Sequence, residues 1–130
     1  MEINSGMQRP IGDLVLYKNN QLLAFNKPNG LGVQPDRTTD KSLLDLAEIY
    51  TSANIHLIHR IDRPASGVVL LAKNKKALAA LNEQIRTGQV QKTYLAIVAK
   101  PPPAAAGQLL HYLRKNGRTN RSEAFVEEKK

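Results

Sequence analysis

Short apolar runs of strand length interleave with two segments of helical periodicity along this chain, an alternation compatible with an α+β domain. The hydrophobic fraction of 42% is that of an ordinary globular protein, and 130 residues suffice for one domain with a real core. The longest purely apolar runs, such as Gly67 to Ala72, fall far short of the roughly 20 residues of a membrane-spanning helix. The N-terminus has no apolar core behind basic residues of the kind a signal peptide shows.

The elements follow in order. Met1 to Pro10 has no periodicity and reads as a loose lead-in. Asp13 to Tyr17 and Leu22 to Asn26 are strand-length runs separated by the polar turn Lys18-Asn19-Asn20-Gln21, which predicts a hairpin. The Pro and Gly density of Lys27 to Pro35 marks a shaped loop. Ser42 is placed to cap a helix running to about Tyr50, with Leu43, Leu46, Ala47 and Tyr50 on one face. Ile55 to Ile61 leads into a Pro/Gly turn at Arg63 to Gly67, and Val68 to Ala72 reads as a buried strand. Asn74 caps a second helix through about Thr87, with Leu78, Leu81 and Ile85 at helical spacing and Gly88 closing it. Tyr94 to Val98 reads as another strand, Pro101 to Gly107 as a connector, and Leu109 to Leu113 as one more short strand. From Arg114 onward the chain is polar and charged, the composition of a solvated, flexible tail.

Composition also bounds function. Without cysteine there are no disulfides or thiolate metal sites, and His56, His59 and His111 lack the spacing and carboxylate neighbours of a metal motif, so no metal is expected. Nineteen Lys and Arg against 11 Asp and Glu give a net charge of +8, the balance of a protein that works against a phosphate backbone.

The densest polar cluster is His59-Arg60-Ile61-Asp62-Arg63, immediately before the Pro/Gly turn. On a strand, Arg60 and Asp62 would share a face, and nearby arginine keeps a carboxylate ionised, as a nucleophile or general base requires. The plain alternative is an Arg–Asp ion pair tying a strand to a loop.

The run from His59 to Lys73 resembles the signature of RluA-type pseudouridine synthases: a His-Arg-Leu-Asp core, Thr-Ser-Gly, an apolar run and Ala-Lys. Two more segments agree in order and spacing. Asn26 to Pro35 is similar to the family's Lys-Pro-x-Gly loop, and Gln91 to Val98 to its Lys-x-Tyr-x-Ala-x-Val strand. The resemblance implies isomerisation of uridine to pseudouridine within ribosomal or transfer RNA, with no cofactor. It makes Asp62 the catalytic aspartate, either as nucleophile at the sugar or as the base assisting elimination. It makes Tyr94 the aromatic residue that stacks on the target uracil, and Arg60 the arginine that helps displace the target nucleotide. For Tyr94 ordinary strand packing, and for Arg60 pairing with Asp62, stand as alternative roles. The implied fold is α+β, a mixed and mostly antiparallel sheet with flanking helices.

Ala65 stands where the family has threonine and Ile61 where it has leucine, mild changes that keep the Asp62 and Ser66-Gly67 frame. The family's later Gly-Arg-x-His-Gln-Ile-Arg motif, whose arginine pairs with the aspartate, is absent, so the chain is expected to be a C-terminally truncated copy or a fragment. The expected organisation is a lead-in over 1–12, a partial catalytic domain over 13–113 and a flexible basic tail over 114–130. A cytoplasmic monomer acting on RNA and not on membranes is expected. Two other readings compete. One is a catalytically inactive basic RNA-binding module on the same fold. The other is an unrelated carboxylate hydrolase, disfavoured because a glycosidase-type mechanism calls for a second carboxylate.

Overall fold

A computed structural model describes residues 9–119 and 121–127. The chain divides into two compact units, Met1–Lys92 and Thr93–Lys130. Residues 1–8 of the expected lead-in lie outside the described residues.

The first unit opens with a 3-10 turn, Ile11–Leu14, and then the expected hairpin: β1 (Val15–Lys18) pairs antiparallel with β2 (Leu22–Lys27). Asn19 closes this turn by accepting the amides of Gln21 and Leu22, both at 2.8 Å. β4 (Gly67–Ala72) pairs antiparallel with β2, and the two-residue β3 (His56–Leu57) pairs with β4, giving the order β1-β2-β4-β3. Leu23 lies opposite Leu71, and Phe25 opposite Val69. These four fully buried side chains form the sheet's inward face.

α1 (Leu43–Thr51) supplies the other half of that core, with Leu43, Leu46 and Ala47 buried among them. Its start is a capping box: the Asp45 amide donates to the Ser42 hydroxyl, and the Ser42 amide donates back to the Asp45 carboxylate at 2.8 Å. Tyr50, expected on the buried face, is instead exposed, with the Lys18 ammonium 5.1 Å from its ring centre. Burying each large apolar side chain in this cluster contributes about 1.5–3 kcal/mol.

α2 (Lys75–Arg86) lies against β4 and β3. The Asn74 side chain caps it, accepting the Ala77 amide at 2.9 Å. Its end is a Schellman motif: Gln89 N–H donates to Gln84 O at 2.9 Å and Gly88 N–H to Ile85 O at 3.2 Å, with Gly88 at φ +71. Leu78, Leu81 and Ile85 are only half-buried. No helix among the described residues is long and apolar enough to cross a membrane.

The second unit departs from the sequence reading. Tyr94 to Val98 pairs with no strand among the described residues, and Leu95 and Ile97 are fully exposed. The apolar alternation is present, but a strand exists only where a ladder partner is supplied. The stretch expected as a flexible tail instead holds a hairpin, in which β5 (Tyr112–Asn116) pairs antiparallel with β6 (Arg121–Phe125). Arg114 explains why so polar a segment pairs. It faces Glu123 across the ladder at 3.7 Å, and its guanidinium sits 5.0 Å from the Phe125 ring centre. Asn116 caps the turn by accepting the amides of Arg118 and Thr119.

Candidate active site

Ile61 decides where Asp62 sits. It is buried in the core at 8% exposure, while Arg60 before it and Asp62 after it are exposed. The alternation expected of a strand therefore holds, but the strand itself does not: only His56 and Leu57 enter the ladder, and residues 58–62 run on without one. His59 takes over where β3 stops. Its Nε2 accepts the Leu70 amide of β4 at 3.0 Å, so its proton resides on Nδ1, which is buried without a hydrogen-bond partner among the described residues. Burial, and after it the Lys92 charge, lower the ring's pKa below the ordinary histidine value.

Beyond Asp62 the chain turns sharply. The Ala65 amide donates to the Asp62 carbonyl at 2.9 Å, and Gly67 enters β4 at φ +127, a conformation that side chains other than hydrogen rarely adopt. The Asp62 carboxylate is exposed and forms no hydrogen bond or ion pair with any described residue. The ion pair that the sequence offered as the plain alternative exists, but with other carboxylates. Arg63 turns to Asp36 at 2.8 Å and Asp40 at 3.4 Å, and not to Asp62.

Beneath this loop lies a cation that the sequence reading had placed in a structural turn. Lys27 has no exposed surface, and its ammonium donates to the carbonyls of Leu31 at 2.7 Å, Pro28 at 3.0 Å and Arg63 at 3.2 Å. Burial pushes its pKa below the ordinary lysine value, the Arg63 charge adds to that, and the Asp62 carboxylate opposes it. The ammonium thus ties two loops together within electrostatic reach of Asp62. One signal was available in the sequence: Leu23, Phe25 and Lys27 share the inward period of β2.

Arg60 and Asp62 are brought together on one loop of the first unit, whereas Tyr94 belongs to the second and is 63% exposed. No His, Asp and Glu group among the described residues is gathered for a metal ion.

A family model described as RNA pseudouridylate synthase matches residues 21–130. The chain belongs to the RNA pseudouridylate synthase family. All three segments that carried the resemblance, and with them Arg60, Asp62 and Tyr94, lie inside that match. Among individual synthases, the chain is 42% identical over 86 residues to ribosomal large subunit pseudouridine synthase C of Haemophilus ducreyi, covering 65% of this chain and 27% of that protein. It is 38% identical over 90 residues to the protein of the same name in Escherichia coli, covering 68% and 28%. A solved structure of human RNA pseudouridylate synthase domain containing 4 superposes with a TM-score of 0.50 at 30% identity, over 61% of this chain and 31% of that one. The chain thus spans about a third or less of the length of these synthases.

Proposed function

We propose that the protein isomerises uridine to pseudouridine in RNA, with Asp62 as the reacting carboxylate. In the reaction the bond from the sugar to uracil N1 breaks, a bond from the sugar to C5 forms, the hydrogen on C5 leaves as a proton, and N1 takes up a proton from solvent. A carboxylate serves either by attacking the sugar or by removing a proton from it. The observation that carries the reading is the state of Asp62. It is exposed and has no hydrogen-bond or ion-pair partner among the described residues, yet it sits on a segment held on one side by Ile61 in the core and on the other by a hydrogen-bonded turn. Its backbone is thus fixed while its carboxylate stays accessible.

Ribosomal RNA is the favoured substrate, because the synthases from Haemophilus ducreyi and Escherichia coli carry names referring to the large ribosomal subunit. The net charge of +8 suits either ribosomal or transfer RNA. Arg60, exposed beside Asp62, is the residue for displacing the target nucleotide, and Tyr94 for stacking on its base. A cytoplasmic site of action goes with this reading.

The test is tritium release from RNA labelled at uracil C5, using protein expressed from its native reading frame. Release on ribosomal RNA is expected, and Asp62→Ala should reduce it at least about 10³-fold, in keeping with removal of a covalent or general-base catalyst. A folded protein that binds RNA but releases nothing would sink the enzyme reading and leave the RNA-binding module.

A further inference from the structure

Arg63 follows Asp62 directly, so whatever fixes its backbone also fixes the direction in which the Asp62 side chain leaves the chain. It is fixed at both ends. Its carbonyl accepts the Gly30 amide at 2.8 Å and the Lys27 ammonium at 3.2 Å. Its guanidinium then returns to the same segment: Nη1 donates to Gly30 O at 3.3 Å and Asp40 Oδ2 at 3.4 Å, and Nη2 to Asp36 Oδ2 at 2.8 Å and Thr38 Oγ1 at 3.2 Å. A planar fork of fixed donors can span four acceptors along one loop, and the point charge of a lysine cannot.

The loop is shaped to receive it. A Cβ at Gly32 would stand 3.4 Å from Nη2, so the guanidinium passes close over this glycine. Asp36 is oriented by both the amide and the hydroxyl of Thr38, and these bonds, followed by the one from Arg63, hold its carboxyl down at about 2. It therefore remains ionised at physiological pH. The charges are partly exposed, and ion pairs of that kind contribute little to global stability. What the arrangement does supply is a defined geometry between residues 30–40 and the Asp62 turn.

On the reading of Asp62 as the reacting carboxylate, we infer that Arg63 is a positioning residue: by clamping residues 30–40 to the Asp62 turn through Asp36, Thr38 and Asp40, it aims the carboxylate at the target nucleotide without itself holding RNA. A displacement of about 1 Å in such a group costs up to about 100-fold in rate.

The experiment compares wild type, Arg63→Gln, Arg63→Lys and Asp36→Asn in protein from the native reading frame. It measures single-turnover tritium release, RNA affinity and amide hydrogen exchange. Arg63→Gln and Asp36→Asn are each expected to slow the single-turnover rate by roughly 10- to 100-fold with RNA affinity unchanged. Arg63→Lys should recover only part of the loss, and combining Arg63→Gln with Asp36→Asn should do no further harm, because both break one clamp. Exchange over residues 60–66 as well as 36–40 should quicken in Arg63→Gln. Weakened RNA binding with an unchanged rate would make Arg63 a phosphate contact and overturn the inference, as would unchanged exchange over 60–66. If wild type releases no tritium, the reading of Asp62 fails, and the exchange measurement alone then supports or overturns the clamp.

Discussion

The Leu70 amide donates to His59 Nε2, a bond that only the neutral ring accepts, and burial keeps the folded ring's pKa below its ordinary value of 6.5. Between the lowered folded value and 6.5 the unfolded chain binds more protons than the folded one, so stability present above 6.5 is lost as pH falls through that window. The urea midpoint should accordingly decline as the pH falls through and below 6.5. His59→Gln, whose amide oxygen can accept the same N–H, should remove that part of the decline, and an unaltered slope in this variant would refute the assignment. Asp36, held at about 2 against an ordinary 3.8, is also depressed, but its contribution is lost only at lower pH. Asp62 and Arg60 were legible in the sequence as a motif. The Arg63 contacts were not, because they reach carboxylates 23 and 27 residues away in sequence, and the Lys27 contacts were legible only in the inward period of β2.

Elements with their own stop and start signals were the legible ones. The caps Ser42 and Asn74 and the terminator Gly88 all sit where local chemistry put them. Ser42 is buried, and its hydroxyl both accepts the Asp45 amide and donates to the Asp45 carboxylate at 2.7 Å. Ser42→Ala should destabilise the fold by about 1–2 kcal/mol, measured as a fall in the urea midpoint at constant slope. A loss below about 0.3 kcal/mol would mean that the capping box is dispensable. Strands fared worse. Tyr94 to Val98 has the composition without a ladder partner among the described residues, and Tyr112–Asn116 has a partner despite its polarity. Pairing is a long-range property, and alternation within one segment does not report it.

Across the whole molecule the α+β class was readable from the order of runs. Every member of the main buried cluster lies between Leu14 and Leu71, within the unit that ends at Lys92. A chain ending at Lys92 is therefore expected to keep a cooperative thermal transition by circular dichroism, and a broad, non-cooperative melt would show that the core needs more of the chain. The exposed run from Tyr94 to Val98 has a colloidal consequence. An extended, unpaired apolar segment is a template on which a second molecule can add, and the net charge of +8 is what keeps two such molecules apart. Because that repulsion reaches only about 8 Å at physiological ionic strength, added salt removes the barrier while leaving the apolar attraction in place. For this chain, then, added salt is expected to promote self-association, which light scattering across a salt series checks.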